Sequence, residues 1–407
     1  MSDHEGRRPE TLLITLSGKD RPGVTSSIFS TLSQAGVIVV DIEQIVLRQR
    51  LILGVLVTVP REWKRLREAV ELTARDLDMA VEVERGSGDR PTRREGRSHV
   101  TLIGTPLKAS AMSAIAGRIA DAGANIDRIE RMARYPVTAI DLHVSGADPE
   151  VLRPVLAAEA ARQGIDIAVQ RADLVRRGMR LIVMDVDSTL IQGEVIEMLA
   201  AHAGFGSEVA AVTEAAMRGE LDFEDSLRSR VKLLAGLPVS AVDEVYDAIE
   251  LAPGARTLVR TLRRLGYRFA LVSGGFSQIT DRLAADLGIH FSRANELEVV
   301  DGRLTGDIVG DVVDRAGKAR ALREFAAELG LSQAATVAIG DGANDLDMLN
   351  AAGLGIAYNA RPVVQRAADT SVNVPYLDTI MYLLGISRED IVAADAAEGI
   401  VTPAPPV

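Results

Sequence analysis

Leu181-Ile182-Val183-Met184-Asp185-Val186-Asp187-Ser188-Thr189-Leu190-Ile191 begins with four apolar residues in a row and then presents two carboxylates. An apolar run without alternation is the pattern of a parallel strand covered on both faces. Open α/β sheets take their ligands at the carboxyl ends of such strands, which is where Asp185 and Asp187 stand. An Asp or Ser in this loop would equally cap the next helix. Residues 269–272, 335–339 and 354–357 are three more short apolar runs, separated by helical segments, so the second half of the chain reads as an α/β fold with a Rossmann-like parallel sheet. Asp301-Gly302, between residues 297–300 and 303–305, is a hairpin signal on that sheet. Residues 193–247 carry amphipathic helical patches and no strand pattern, which predicts an all-helical cap over about 194–250.

Three further elements after later strands of the same sheet suit phosphate or metal chemistry. Ser273-Gly274-Gly275 offers a small hydroxyl and free amides that can approach a phosphate oxygen, although a structural turn would also explain the glycines. Lys318 falls at a helix start, a poor place for a cation beside the helix dipole, and the misfit favours a functional role. Gly340-Asp341-Gly342-Ala343-Asn344-Asp345 again crowds two carboxylates at a strand end. Asp185, Asp187, Asp341 and Asp345 in one site would repel one another unless a hard cation were present. Magnesium, with its preference for oxygen ligands and retained water, suits them. In the insert, Glu194 reads either as a negative charge facing the site or as an exposed residue of a first helical turn. Arg230 reads either as an inward guanidinium aimed at a carboxylate or as part of a solvated basic face.

These residues in this order resemble the signature motifs of the haloacid dehalogenase superfamily of phosphotransferases over roughly residues 181–380. The resemblance implies that Asp185 is the nucleophile and Asp187 the general acid and base. Ser273 and Lys318 would hold the phosphate, with the amides around Gly274 close by. Asp341 would bind Mg2+ together with Asp185 and the main-chain carbonyl of Asp187, and Asp345 would support that shell. Asp-x-Asp-Ser-Thr-x-Ile-x-x-Glu over residues 185–194, the cap segment 217–223 and residues 340–348 resemble the phosphoserine phosphatase family more narrowly. That implies a hydrolase of O-phospho-L-serine in serine biosynthesis. Glu194 would take the substrate ammonium and Arg230 its carboxylate, with Met217 and Phe223 closing the apolar side and Asn344 near the phosphate. Two other readings remain open: transfer of the phosphoryl group to another alcohol, and an amino-acid sensor with a decayed catalytic half.

The front half repeats itself. Residues 11–16 form a strand pattern, followed by Gly18-Lys19-Asp20-Arg21-Pro22-Gly23-Val24, a helical stretch to Gln34, and strands near 37–40 and 51–59. About 87 residues later the β-α-β-β pattern returns, with a strand at 99–103 and helices at 110–122 and 154–163. Residues 86–96 have the Gly, Pro and charge content of a linker. The Gly18–Val24 turn resembles ACT domains, ferredoxin-like α+β units that often bind amino acids and pair sheets across subunits. That implies a homodimer, with the repeats either adding only dimerisation surface or holding an L-serine effector at the first copy. The second copy has Gly104-Thr105-Pro106-Leu107-Lys108 in place of that turn. The expected organisation is an ACT-like domain at 1–86, a second at 99–175 and a phosphatase domain at 180–400.

A chain of 407 residues exceeds what one core usually organises, in keeping with several domains. The net charge of −11 argues against a nucleic-acid partner, and the absence of cysteine removes thiol chemistry and leaves oxygen or histidine for any metal. The five histidines, His4, His99, His143, His202 and His290, show no metal-binding spacing. The polar start, residues 1–10, lacks an apolar signal core and no run is long enough for a membrane span, so a cytoplasmic protein without a membrane partner is expected.

Overall fold

Leu12, Ile14 and Leu16 are fully buried on β1 (Glu10–Lys19), and this period of two turns one face of the strand into a core. The computed structural model describes residues 10–87, 96–173, 178, 180–217 and 223–403, with only the backbone at 210 and 213–217. Its chain forms two units, Met1–Arg94 and Glu95–Val407. In the first, β1 leads through the helix Val24–Gln34 to β2 (Val39–Leu47) and β3 (Arg50–Thr58), then through the helix Trp63–Asp76 to β4 (Met79–Ser87). The strands pair antiparallel in the order β2-β3-β1-β4. Val24, Ile28 and Leu32 on one helix and Leu66, Val70 and Ala74 on the other recur every four residues, so each helix lays one apolar stripe on the sheet. This is the expected ferredoxin-like α+β layout, completed by a second helix and a fourth strand.

The second unit opens with the repeat: β5 (Ser98–Gly104), the helix Ala109–Asp121, β6 (Asn125–Ala133), β7 (Thr138–Ser145), the helix Pro149–Gln163 and β8 (Asp166–Arg171), with strand order β6-β7-β5-β8. The second of these helices starts before residue 154 because Asp148 accepts the Glu150 N–H and Pro149 suits a first helical turn. One sheet face, with Val100, Leu102, Leu142 and Val144, packs on the two helices. The other carries Ile103, Ala139 and Ala168 into the core of the following α/β half. Asn373 donates to both oxygens of Asp166, Thr370 to the Ile167 carbonyl and Gln170 to the Leu383 carbonyl. The repeat and the α/β half therefore form one body, whereas their compositions alone read as two domains.

The α/β half is built on β9 (Leu181–Met184), β10 (Arg268–Phe276), β11 (Phe291–Val300), β12 (Arg303–Val309), β13 (Thr336–Gly340), β14 (Leu354–Tyr358) and β15 (Thr370–Val372). They stand in the order β12-β11-β10-β9-β13-β14-β15, parallel except for the β11/β12 hairpin. Asp301 and Gly302 both take positive φ, 51° and 72°, as a tight two-residue turn demands. Between β9 and β10 the chain makes the helices Val195–Ala203, Gly206–Met217, Phe223–Lys232 and Ser240–Ala248, the expected helical insert. The helix Ala255–Arg264 then leads into β10. β9 lies between β10 and β13, so the chain departs from it in both directions and a crevice opens at its carboxyl end.

Candidate active site

Asp185 sits at that point. Its N–H donates to the Ile339 carbonyl at 2.9 Å, which continues the β9/β13 pairing by one residue and fixes the direction of the side chain. Lys318, from the helix Arg315–Glu328, reaches Asp185 Oδ1 at 2.8 Å and Asp345 Oδ1 at 2.7 Å. All three side chains are essentially shut off from solvent. The unfavourable dipole position of Lys318 is thereby explained, because two carboxylates outweigh one helix end. Burial acts to lower Lys318, but Asp185 and Asp345 override it and hold the ammonium protonated. Burial, then Asp345, push Asp185 well above the usual carboxylate range against the pull of Lys318. Asp314 caps the same helix by accepting the Gly317 N–H, which holds the lysine's backbone at the site.

Asp187 has a different environment. Its Oδ1 accepts the N–H of Val195, the first residue of the insert's first helix, at 2.8 Å, and its Oδ2 accepts the Ser273 hydroxyl at 3.1 Å. The capping role and the site role coexist in one carboxylate. Burial raises its pKa, opposed by those two hydrogen bonds. Gly275 donates its N–H to Ser273 Oγ at 2.7 Å. A Cβ at Gly275 would lie 2.7 Å from Asp187 Oδ2, and one at Gly274 would lie 2.9 Å from the Phe223 ring, so both glycines answer to close approach. Ser273, Gly274 and Gly275 belong to β10 itself, which runs to Phe276 with a register shift against β11, and do not form a separate turn after it.

Asp341, half-buried at the end of β13, accepts the Thr189 hydroxyl at 3.0 Å, and burial followed by Asp345 raises it to about 6. Carboxylate oxygens of Asp185, Asp341 and Asp345 lie within 4.8 Å of one another. This set is all oxygen and holds more carboxylates than the single ammonium can neutralise, a donor set that fits a hard divalent cation. The Asp187 side chain is turned away from it toward Val195 and Ser273. Asn344 folds over Gly342 in the short turn after β13.

The insert brings its own charges. Ser188, held at φ 56°, donates its hydroxyl to Glu194 Oε1 at 2.9 Å. Burial and the neighbouring Asp187 raise Glu194 to about 7. Arg230 donates to the Ser226 carbonyl and is lowered by burial, while Glu194, Glu197 and Asp187 act on it from nearby in the opposite sense. Its guanidinium therefore faces the acidic side of the insert. The Met217 side chain and residues 218–222 lie outside the described residues.

A phosphoserine phosphatase of Streptomyces coelicolor is 60% identical to this chain over 387 residues, 95% of this chain and 94% of that protein. The chain belongs to the phosphoserine phosphatase family. A phosphoserine phosphatase of Mycobacterium tuberculosis is 51% identical over 395 residues, 95% of this chain and 96% of that protein. The family model described as haloacid dehalogenase-like hydrolase matches residues 182–350, and two models described as ACT domain match residues 10–84 and 97–170. Among solved structures, a HAD family hydrolase of Salmonella enterica is similar with a TM-score of 0.62 and 28% identity, covering 70% of this chain and 98% of that one.

Within this phosphoserine phosphatase fold Ser188, which the sequence offers only as a cap of the next helix, serves Glu194 instead, while Thr189 and Asn295 carry no role of their own in the sequence. Asn295 is buried in β11, donates to the Gly274 carbonyl and accepts the Val313 N–H, both at 2.7 Å. It ties the carboxyl end of β10 to the approach of the Lys318 helix. The available signal was a lone Asn in a strand, a residue that strands disfavour unless its amide is satisfied.

Proposed function

We propose that this chain hydrolyses O-phospho-L-serine to L-serine and phosphate by way of a phosphoryl group carried on Asp185. The observation that carries this reading is the contrast between its two aspartates. Asp185 is clamped by a lysine, and Asp187 is raised by burial and faces a serine hydroxyl. Lys318 and the Val186 N–H both engage Asp185 Oδ1, leaving Oδ2 to meet phosphorus. The Asp185–phosphorus bond forms as the bond from phosphorus to the serine oxygen breaks, and Asp187 gives its proton to that oxygen. Water then attacks the phosphorus, Asp187 takes a proton from it, and the Asp185–phosphorus bond breaks to release phosphate and restore both carboxyls. Ser273 and Lys318 hold the phosphate oxygens, with the Gly274 amide and Asn344 beside them. Magnesium is the ion we assign to Asp185, the Asp187 main-chain carbonyl and Asp341, with Asp345 in support, and when bound it supplies positive charge against the phosphate. Glu194 takes the substrate ammonium and Arg230 its carboxylate, with Phe223 and Met217 assigned to the apolar side.

Phosphate release from L-phosphoserine, with and without magnesium and against a panel of small phosphomonoesters, tests this, with Asp185→Asn as control. Preference for phosphoserine that disappears in the variant is expected. Faster cleavage of another ester would keep the mechanism and overturn the roles of Glu194 and Arg230. New phosphoester in the presence of an added alcohol would favour transfer.

The turn at Gly18–Val24 is assigned to an L-serine effector on the strength of its exposed residues 19–23 and of Gly23 at φ 98°, which precedes a helix with no side-chain cap. In the second copy the corresponding turn closes on itself, since a Cβ at Gly104 would stand 3.0 Å from the Leu107 backbone, and no ligand is assigned there. Calorimetry of the full Asp185→Asn chain with L-serine should give a binding event that Gly23→Val removes, and an unchanged isotherm would exclude this site. A homodimer is supported by β2, an edge strand whose residues are all exposed, Val39, Val40, Ile42, Ile45, Val46 and Leu47 included. Among the described residues no helix is long and apolar enough to cross a membrane.

A further inference from the structure

The face of the second ACT sheet that meets the α/β half is apolar at one end and becomes polar at the other. Along β5 and β7 it runs from Ile103 and Ala139 to Thr101 and Asp141 and then to His99 and His143, which stand directly opposite each other in the antiparallel register. Gln170, beside His99 on β8, donates to the Leu383 carbonyl, so this polar end adjoins the α/β half. The two imidazoles lie 4.5 Å apart between ring centroids, edge to face.

Three observations set this cluster apart from an ordinary polar patch. His99 Nδ1 donates to Asp141 Oδ2 at 2.7 Å, and the other oxygen of Asp141 accepts the buried Thr101 hydroxyl at 2.9 Å, so the carboxylate is oriented from behind. His143 Nε2 is buried and has no hydrogen-bond partner among the described residues, a state that proteins rarely leave uncompensated. That nitrogen lies 3.7 Å from Asp141 Oδ2 and 3.8 Å from Glu130 Oε2, too far for hydrogen bonds. Two ligands on one four-coordinate ion with bonds of about 2.0–2.1 Å stand about 3.3 Å apart. The three residues offer ligand atoms that all lie within 4.8 Å of one another, so relative movements of at most about 1.5 Å would bring them to that spacing around a common centre.

We propose that His99, Asp141 and His143 bind a divalent transition-metal ion of the zinc class, with Glu130 of β6 or water completing four-coordination. Glu130 is partly exposed and paired with Arg128 at 3.0 Å, so it can swing to the ion without disturbing the core. On binding, the proton that His99 shares with Asp141 moves from Nδ1 to Nε2, as the second ring nitrogen of a ligating histidine requires. Two imidazole nitrogens select zinc, cobalt or nickel over magnesium, whereas the Asp185, Asp341 and Asp345 cluster has the opposite preference. The ion would pin β5 to β7 next to the α/β half.

The test uses the full chain without a histidine tag, stripped with a chelator, held in excess magnesium and titrated with cobalt. The intense visible absorption of four-coordinate cobalt is expected to saturate at one equivalent, to be displaced by zinc, to survive in Asp341→Asn and to vanish in His143→Gln and in His99→Gln. Zinc should also raise the Tm of the wild type and not of His143→Gln. The weak absorption of six-coordinate cobalt alone, no binding, or a band that persists in folded His143→Gln would overturn the proposal. Should neither histidine variant fold, Asp341→Asn decides: a retained band supports the histidine site, and its loss assigns the ion to the phosphatase carboxylates and refutes it.

Discussion

Lys318→Met removes one charge and keeps an unbranched apolar stem in a fully buried position. The ammonium it replaces lies 2.8 Å from Asp185 and 2.7 Å from Asp345. Each contact is worth gross about 6 kcal/mol at an effective dielectric of about 20, most of it cancelled by desolvation. Removing one partner from a buried ion pair costs about 3–5 kcal/mol, because the charges left behind stay desolvated and repel. That loss is expected at pH 7.5 in chelator. It should shrink at pH 5, because lower pH favours the protonated form of Asp185 that burial already favours, and in excess magnesium, which replaces the missing positive charge. Urea unfolding is best followed by hydrogen exchange of peptides spanning residues 315–340, since the single tryptophan, Trp63, lies in the other unit. Phosphatase activity should be abolished under all three conditions. A stability loss below about 1 kcal/mol in chelator, or an equal loss under all three conditions, would refute the charge-balance reasoning.

Glu194→Gln keeps an acceptor for the Ser188 hydroxyl and should lower kcat/KM for phosphoserine by roughly a hundredfold while sparing phosphoglycolate, which has no ammonium. Arg230→Gln should do the reverse, sparing phosphoethanolamine, which has no carboxylate; parallel losses on all esters would remove these roles. Asp341 at about 6 and Glu194 at about 7 bind protons more tightly folded than unfolded, so metal-free stability should fall as pH rises from about 4 through 7. Magnesium should accordingly raise Tm more at pH 8 than at pH 5, and an equal or opposite dependence, read by scanning calorimetry, contradicts the shifts. Val40→Lys with Ile42→Lys on the exposed edge strand β2 should shift the protein to monomer in sedimentation velocity, and an unchanged assembly would place the dimer contact elsewhere.

The sequence by itself determined the local elements and the order of the chemistry. Apolar runs of four or five residues, three of them followed by Asp185, Ser273 and Gly340, are legible because a buried parallel strand leaves no other pattern, and the repeat of β-α-β-β is legible because its helices bury every fourth residue. It also placed the hairpin at Asp301-Gly302 and the helical insert. What it could not determine were facts of register and of packing between segments far apart in the chain. β9 lies between β10 and β13, and this alone brings Asp187 to Ser273 and Asp185 to Lys318 and Asp345. Asn295 gained its meaning only when β11 lay beside β10. The second ACT sheet became part of the α/β body through Asp166, Ile167 and Gln170, residues whose partners lie some two hundred positions away. His99 and His143 likewise show no metal-ligand spacing along the chain, yet antiparallel register sets them opposite each other. Periodicity records which face of an element is buried, whereas the partner on that face is chosen by strand pairing and core packing, which depend on the whole chain at once.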